Sequence, residues 1–340
     1  MALRTAPARR TGAKPGGTQR DPAELGDNLV AAIETVIDGK PAVVRTAIAV
    51  LFAEGHLLIE DVPGVGKTML AKALARAIGA TVRRIQFTPD LLPSDVTGVS
   101  VFDPDTREFT FRPGAVFANV VVGDEINRAS PKTQSALLEC MEERQVTVDG
   151  ETYFLPPPFL VIATQNPVEM EGTFPLPEAQ RDRFMARLSM GYPSTDAELQ
   201  MLEEHASASP LDDLEAVTSA KEIAQVVDAV RLVHVSDEVS RYAVSVVDAT
   251  RRHADLRLGA SPRATLHLVR AAKAVAALER RDFVLPDDIQ TLAVPVLAHR
   301  LLLTPDALIA GRDPAQIVSD ILSRLALPGE SPSPRARRRA

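Results

Sequence analysis

The stretch Glu60-Asp61-Val62-Pro63-Gly64-Val65-Gly66-Lys67-Thr68 directly follows the apolar run Leu57-Leu58-Ile59. This order predicts a short buried strand, a loop of small residues and then a helix. Small residues such as Gly64 and Gly66 let successive backbone N–H groups turn toward an anion at a helix N-terminus. Lys67 is then placed to reach the β- and γ-phosphates, and the Thr68 hydroxyl to coordinate Mg²⁺. The stretch predicts an α/β fold that binds a nucleoside triphosphate.

The loop departs from the usual phosphate-loop pattern, G-x-x-x-x-G-K-[ST], where Asp61 replaces the first glycine. An aspartate is compatible with such a loop if its backbone has an ordinary negative φ. We therefore expect the nucleotide to contact the whole loop, which consists of Asp61, Val62, Pro63, Gly64, Val65, Gly66, Lys67, Thr68 and Met69.

A second apolar strand, Val120-Val121-Val122-Gly123, ends in the adjacent acids Asp124 and Glu125. Ligands of open α/β sheets bind outside the carboxyl ends of the strands, so both carboxylates belong at the phosphate site. We expect Asp124 to hold Mg²⁺ through water, together with Thr68. We expect Glu125 to orient or deprotonate the water that attacks the γ-phosphoryl group.

A third apolar strand, beginning at Leu160, leads into Ala163-Thr164-Gln165-Asn166-Pro167. A strand that ends in a polar amide can place Asn166 beside the γ-phosphate and the attacking water. Asn-Pro is also an ordinary turn signal, and the sequence alone does not choose between the two readings.

Composition limits the class of protein. The chain has 340 residues, 45% of them hydrophobic, which is enough for two domains with buried cores. It has no Trp, so Ala, Val, Leu and Ile must build most of the core. A single cysteine, Cys140, excludes a disulfide framework and fits a reducing compartment, so we expect a cytoplasmic protein. No apolar run approaches the roughly 20 residues of a membrane span, so we expect no membrane insertion.

Charge is distributed unevenly along the chain. Both ends are rich in Arg, Pro, Gly and Ser, and we predict disordered basic tails over residues 1–22 and 328–340. The rest of the chain is therefore more acidic than the net charge of −7. An acidic body argues against general nucleic-acid binding. The tails are either solvated segments without a function or weak contacts for an anionic partner.

The order of apolar segments predicts two domains. Residues 23–192 alternate helices with short strands, as in a parallel sheet flanked by helices. Two hairpins, at about 99–111 and 145–154, interrupt this core and are expected to project from it. Strands are expected to be absent from about residue 194, so that residues 193–327 form a smaller all-helical domain. Its helices are predicted near 236–253, 262–280 and 286–300.

Taken together, these motifs resemble the AAA+ ATPases, and most closely the MoxR family in the helix-2 insert branch of that class. The resemblance covers roughly residues 25–325. It is carried by Gly55–Gly64, which leads into the phosphate loop, by Asp124-Glu125-Ile126-Asn127-Arg128-Ala129 and by four further runs: Phe87–Gly98, Ala163–Pro167, Leu176–Gln180 and Asp182-Arg183-Phe184.

The resemblance implies homo-oligomeric rings, usually hexamers, with ATP bound between neighbouring subunits. Lys67, Thr68, Asp124, Glu125 and Asn166 would then act within one subunit. Arg183 matches the position of an arginine finger that enters the next subunit's site, where a planar, permanently charged guanidinium suits the phosphoryl oxygens. Arg181 lies two residues earlier, so the choice between these two arginines stays open, with Arg183 preferred. A surface ion pair is the alternative role for Arg183.

The helical domain resembles the AAA+ lid, and Gly259-Ala260-Ser261-Pro262-Arg263 matches the second sensor. The resemblance implies that Arg263 touches the γ-phosphate. A cation in the first turn of a helix is disfavoured by the helix dipole, by roughly 0.3–1 kcal/mol, and a nearby anion would remove that cost. A plain surface arginine is the alternative.

Several smaller assignments complete the prediction. A helix at 25–38 matches the segment that covers the adenine in relatives, with Val36 and Ile37 as expected contacts. Gln86, at a strand end, is expected to bind Glu125 and restrain it until assembly. His56 and Cys140 are interpreted as structural. The two hairpins are either client-contacting loops or structural decoration.

The leading functional prediction is a ring-forming, Mg²⁺-dependent ATPase that remodels client protein complexes. The resemblance extends this to metal-cofactor insertion and to a separate von Willebrand A-domain partner. Two alternatives stay open. A DNA-acting motor would show salt-sensitive DNA binding, and a nucleotide-dependent switch would bind ATP tightly without turnover.

Overall fold

A five-stranded parallel sheet organises the first domain of the protein. The computed structural model describes residues 20–166, 173–193, 195, 198, 199 and 210–328. The strands of this sheet are β1 (Leu57–Glu60), β2 (Val82–Gln86), β5 (Val120–Asp124), β8 (Leu160–Gln165) and β9 (Ala186–Leu188), in the spatial order β2-β5-β8-β1-β9. All neighbouring pairs are parallel. The predicted α/β fold class is confirmed.

Side chains of the central strands alternate between two apolar cores. Val120, Val122 and Ile162 face the larger core, whereas Val121 and Val161 face the smaller one. Both sides of the sheet are therefore covered, as a parallel sheet requires. The register places Gln86 opposite Asp124, so the polar ends of β2 and β5 coincide at one edge of the sheet.

Helices flank this sheet, and their termini follow the caps in the sequence. Asp21 caps α1 through the backbone N–H of Ala23, and Ser130 caps α5 through that of Thr133. Arg20 forms an ion pair with Glu222, so the last residues of the predicted N-terminal tail belong to the fold. Residues 1–19 and 329–340 of the predicted tails lie outside the described residues. The core helices are α1 (Pro22–Glu34), α2 (Pro41–Phe52), α3 (Lys67–Ala77), α4 (Pro93–Thr97), α5 (Pro131–Glu143) and α6 (Glu178–Arg181).

Both predicted hairpins are present outside the five-stranded sheet. One pairs β3 (Gly98–Asp103) with β4 (Glu108–Pro113), and the other pairs β6 (Gln145–Val148) with β7 (Glu151–Phe154). Phe111 of the first stacks on Tyr153 of the second, with ring centroids 4.0 Å apart and planes inclined by 14°. The two hairpins are therefore in contact with each other.

A helical lid follows the core and packs against it in one continuous apolar cluster. Its helices are α7 (Pro210–Asp213), α8 (Ala220–Arg231), α9 (Asp237–Arg251), α10 (Pro262–Leu278), α11 (Pro286–Leu297), α12 (Pro305–Ile309) and α13 (Pro314–Arg324). A capping box of Ser219 and Glu222 opens α8. The expectation that strands are absent here was wrong, because β10 (Leu256–Leu258) and β11 (Leu302–Leu303) form a short antiparallel pair. Among the residues that the structure describes, every helix is too short or too polar to span a bilayer.

Candidate functional site

The phosphate loop has the backbone of an anion cradle. Gly64 and Gly66 adopt φ values of +85° and +88°, in the left-handed region that glycine favours, and α3 begins directly at Lys67. A Cβ at Gly64 would meet nothing within 4 Å, so it is the conformation of the backbone that requires glycine there. The N-terminus of α3 is thereby open to an anionic group.

Lys67 lies across this loop. Its Nζ donates to the backbone carbonyl of Asp61 at 2.5 Å and to that of Gln165, at the end of β8, at 3.3 Å. The ammonium group therefore stands between the loop and the carboxyl edge of the sheet, where phosphate oxygens can replace the two carbonyls.

An aspartate fits the first position of the loop only if its φ is negative. Asp61 meets this condition, because it is not among the described residues with positive φ. Its carboxylate accepts hydrogen bonds from the N–H of Val62 at 2.8 Å, the hydroxyl of Ser189 at 2.8 Å and the N–H of Gly191 at 2.6 Å. Burial opposes the charged form, but the hydrogen bonds, led by that of Gly191, outweigh it and lower the pKa of Asp61. The carboxylate thus ties the loop to the segment after β9.

The two acids stand at the end of β5 as predicted. Asp124 is buried and accepts hydrogen bonds from the hydroxyls of Thr68 at 3.0 Å and Thr164 at 3.3 Å. Arg84, on β2, donates to Asp124 at 2.6 Å. The sequence analysis missed Arg84, although its position two residues before Gln86 puts it on the same face of β2.

The donor set at this edge fits Mg²⁺. Thr68 and Asp124 bring a hydroxyl and a carboxylate to within 3.0 Å of each other, and both are hard oxygen donors. Within the described ranges, no three His, Cys, Asp or Glu side chains come together as a metal site. Mg²⁺ usually binds through one or two protein oxygens plus substrate phosphates, rather than in a cage of protein ligands. Thr68 and Asp124 are the residues that would hold it.

Glu125 has a left-handed backbone, with φ 57° and ψ 50°, an uncommon conformation for a non-glycine residue that often marks a functional position. The backbone N–H of Glu125 donates to the hydroxyl of Thr164 at 3.0 Å. The Glu125 carboxylate accepts a hydrogen bond of 2.9 Å from the amide of Gln86 and lies 3.3 Å from Arg128. The predicted contact between Gln86 and Glu125 is confirmed.

The remaining predicted contacts lie around the same loop. Asn166 is buried directly after β8, at the carboxyl edge. The Cδ1 atom of Ile37 comes within 3.9 Å of where a Cβ on Gly66 would be. The predicted helix over 25–38 ends earlier, at Glu34, so Val36 and Ile37 lie in the turn that follows it. Their contact with adenine stays a prediction.

Arg183 and Arg263 lie together at the amino ends of the strands, opposite the carboxyl ends that hold the phosphate loop. Arg183 precedes β9 by three residues, and its Nε forms an ion pair of 2.9 Å with Glu142 of α5. Arg263, in the first turn of α10, pairs with the other oxygen of the same carboxylate. The adjacent Met141 accepts from His56, the residue before β1, which fixes this end of α5 at the amino edge of the sheet.

The separation of the two edges restricts the roles predicted for these arginines. Lys67 follows β1 at the carboxyl edge, whereas Arg183 and Arg263 lie where β1 and β9 begin. The expectation that Arg263 touches a γ-phosphate is therefore not met by the loop of its own chain. Contact of either arginine with a γ-phosphate stays a prediction.

Asp182 links the two arginine-bearing segments. Its carboxylate accepts from the Ser261 hydroxyl, at 2.9 and 2.8 Å to its two oxygens, and from Nε of the buried Arg300 at 2.8 Å. Arg300 also donates to the carbonyl of Phe184 at 2.6 Å. Arg181, the other candidate finger, has a buried Nε that makes no hydrogen bond to any described group. The structure thus pairs Arg183, rather than Arg181, with Arg263.

An open cavity of about 290 Å³ lies beside this pair, between core and lid. Its wall has more guanidinium groups than carboxylates, with arginines at 144, 183, 263 and 270 and glutamates at 54 and 142. Burial opposes the charge of Glu54, but Arg144 and Arg231 outweigh it and lower the pKa of Glu54. The cavity therefore has an excess of positive charge, which suits an anionic group.

His56 and Cys140 are structural, as predicted. Nε2 of His56 lies 3.0 Å from the Met141 carbonyl, and Nδ1 accepts from the N–H of Val161 at 3.0 Å. Burial is the main cause that lowers the pKa of His56 to about 3, so the ring stays neutral. Burial, with Glu139 nearby, raises the pKa of Cys140 to about 12, which keeps its thiol protonated and unreactive.

Two domain-family models match the chain at these features. Residues 56–186 match the ATPase family associated with various cellular activities (AAA), and residues 248–321 match the AAA lid domain. The first match contains the phosphate loop and both acids, and the second contains Arg263. Fold and site thus define an AAA ATPase with a helical lid.

Comparisons over nearly the full length narrow this class. The chain is 40% identical to the chaperone MoxR1 of Mycobacterium tuberculosis, over 93% of this chain and 86% of that protein. It is 51% identical to the uncharacterized protein YeaC of Bacillus subtilis, over 91% and 97% of the two chains. A crystal structure of a Cytophaga hutchinsonii protein, 37% identical, matches with a TM-score of 0.84 over 90% and 96%. The chain belongs to the MoxR family of AAA ATPases.

Proposed function

We propose that the protein is an Mg²⁺-dependent ATPase whose active sites form between neighbouring subunits of a homo-oligomeric ring, most simply a hexamer. The observation that carries this proposal is that Lys67 lies beyond the carboxyl end of β1, whereas Arg183 and Arg263 lie at the amino ends of β1 and β9. A phosphate in the loop of one subunit meets these arginines only if a second subunit presents them.

Within one subunit, the loop residues and the acids divide the work. The backbone of the loop and Lys67 bind the phosphates, while Ile37 and Val36 contact the base. Thr68 and Asp124 would hold Mg²⁺, which would neutralise part of the negative charge of the phosphates. Glu125 orients the attacking water and accepts its proton, and Asn166 holds that water beside the γ-phosphoryl group.

The neighbouring subunit supplies the remaining charge. Arg183 and Arg263 approach the γ-phosphoryl group from their shared edge and stabilise the negative charge of the transition state. Arginine suits this role because its guanidinium is planar and stays protonated. Turnover is therefore coupled to assembly, since an isolated subunit lacks this part of the site.

The two hairpins are the parts that would act on a client protein. Phe102 and Phe109 form a cross-strand pair on the first hairpin, and their exposed fractions are 49% and 74%. Exposed aromatic side chains on a projecting hairpin are suited to contact apolar segments of another protein. We propose that nucleotide-driven lid motion moves these hairpins against a client complex. A metal-cofactor insertion role, and a separate von Willebrand A-domain partner, extend this proposal by family likeness alone.

Steady-state ATPase activity with Mg²⁺, measured with solution mass for wild type and Glu125→Gln, tests the proposed function. We expect specific activity to rise with assembly and to disappear in Glu125→Gln, while ATP binding is retained. Unchanged turnover in Glu125→Gln would remove the catalytic role of Glu125. A wild-type ring that binds ATP and never hydrolyses it would favour a nucleotide switch instead.

A further inference from the structure

We propose that Glu142 is a positioning residue, which holds Arg183 and Arg263 together so that they reach the neighbouring subunit's phosphate as one unit. This inference rests on the proposed function, because it assumes that the two arginines act between subunits. It adds a residue to that site which no motif in the sequence indicates.

The geometry of the Glu142 carboxylate is the first support. One oxygen, Oε2, accepts from Nε of Arg183 at 2.9 Å, and the other, Oε1, accepts from Nη2 of Arg263. Each oxygen thus engages a different guanidinium. Arg183 comes from the core and Arg263 from the lid, so Glu142 fixes the spacing between two side chains on separate domains.

The position of Glu142 along its helix is the second support. Glu142 lies in the last turn of α5, where the negative end of the helix dipole disfavours a carboxylate, and no basic residue occupies that turn. The ion pairs themselves are partly exposed, with side-chain exposures of 36% for Glu142, 28% for Arg183 and 35% for Arg263. Pairs at such exposure add little to folding stability. Neither helix stability nor fold stability accounts for this carboxylate.

Electrostatics gives the third support. Two guanidinium groups that converge on one phosphoryl group repel each other while no anion is present. A carboxylate between them offsets this repulsion, yet the trio keeps a net positive charge toward the open cavity that all three residues line. The pair is thereby preorganised for an anion, and its geometry need not be assembled at each encounter.

A mixed-ring experiment on the full chain tests this inference. Glu142→Gln keeps the size of the side chain but removes the charge, and Glu143→Gln is the matched control. Glu143 is the next residue, is exposed, and makes no ion pair to a described residue. We expect kcat for ATP to fall about tenfold in Glu142→Gln, with KM, ring assembly and melting temperature unchanged, because misplaced catalytic groups lower the rate of the chemical step. Glu143→Gln should behave as wild type.

Mixing then separates a positioning role from a local defect. Lys67→Ala subunits hydrolyse nothing themselves but present an intact Glu142, Arg183 and Arg263 to a neighbour. Adding them to Glu142→Gln subunits should raise turnover per Glu142→Gln subunit toward the wild-type value. A second mixture, of Lys67→Ala with Arg183→Ala subunits, tests the proposed function, because turnover should rise there if Arg183 acts on the neighbouring subunit's site.

The outcomes are distinct. Equal kcat in Glu142→Gln and Glu143→Gln overturns the role of Glu142 alone. Rescue of Arg183→Ala without rescue of Glu142→Gln does the same. Failure of both mixtures overturns the arrangement of arginines between subunits, and the role of Glu142 with it. Rescue of both supports both.

Discussion

The carboxylate of Asp61, in the phosphate loop, accepts a hydrogen bond of 2.6 Å from the backbone N–H of Gly191, which lies 130 residues further along the chain. Gly191 has a positive φ of 62° and follows β9, at the point where the chain leaves the core for the lid. The nearby Lys40 donates to the carbonyl of Tyr192 at 3.0 Å. The loop that holds phosphate is therefore fastened to the start of the connection to the lid.

Replacing Asp61 tests this link. Asp61→Ala removes the acceptor for both Ser189 and Gly191, and we expect the free energy of unfolding to fall by about 1–2 kcal/mol. ATP affinity should fall as well, because the loop loses its anchor. Denaturant unfolding and equilibrium nucleotide binding measure the two effects. Ser189→Ala is the control that removes one of the two bonds, and it should give a smaller change. Equal stability of Asp61→Ala and wild type would contradict the anchor.

Gln86 provides a second prediction. Its amide donates to the carboxylate of Glu125, so Gln86→Ala should release that carboxylate. One such hydrogen bond is worth about 1 kcal/mol, so we expect basal ATP turnover before assembly to rise about fivefold. The measurement is turnover at protein concentrations below ring formation. Arg83→Ala, at an exposed position on the same strand, is the control. A fall in basal turnover would mean that Gln86 supports Glu125 rather than restraining it.

The local features of the site could be predicted from the sequence because each has a short-range signal. Gly64 and Gly66 indicate a tight loop, and the Val120–Val122 run indicates a buried strand that delivers Asp124 to the sheet edge. Asn166 follows the same logic. A parallel sheet collects such strand ends at one edge, so an accurate list of strands already predicts most of the site.

The pairings across the fold could not be predicted. Glu142 and Arg84 have no motif around them, and their importance depends on partners 121 and 40 residues away. Leu256–Leu258 is too short to read as a strand and forms one only because Leu302–Leu303 lies beside it. The edge on which Arg263 lies is set by how the lid packs against the core, which no local pattern encodes.

Arg183 and Arg181 can be distinguished by paired substitutions. Arg183→Ala should lower kcat for ATP by about a thousandfold or more, because removing an arginine finger has effects of that size. Binding of ATP should be unchanged, since the phosphate loop lies at the other edge of the sheet. Arg181→Ala is the matched control and should keep turnover within a few-fold of wild type. Steady-state kinetics decides, and the reverse pattern would reassign the finger to Arg181.

Stability should depend on pH through buried neutral histidines. Burial is the main cause that lowers the pKa of His56 to about 3 and that of His267 to about 2, and Arg300 adds to the effect on His267. Below about pH 6.5, the unfolded chain binds protons that the folded rings exclude. Stability is therefore fully present above that pH and falls below it, by about 1.4 kcal/mol per pH unit for each ring.

Substitution of one buried histidine checks this pH dependence. In His267→Gln, the free energy of unfolding between pH 6 and pH 4 should fall less steeply than in wild type, by about 1.4 kcal/mol per pH unit. His234→Gln, at an exposed position, is the control for removing an imidazole. Equal slopes in His267→Gln and wild type would show that His267 is protonated in the folded protein.

The stacking of Phe111 on Tyr153 makes the hairpins observable. The chain contains no tryptophan, so Phe111→Trp would introduce a single indole fluorophore at the contact between the two hairpins. Its emission would respond to any separation of the hairpins, and no other indole in the chain would contribute to the signal. This one substitution would thus give an optical record of any hairpin motion, in real time and without an external dye, after ATP is added.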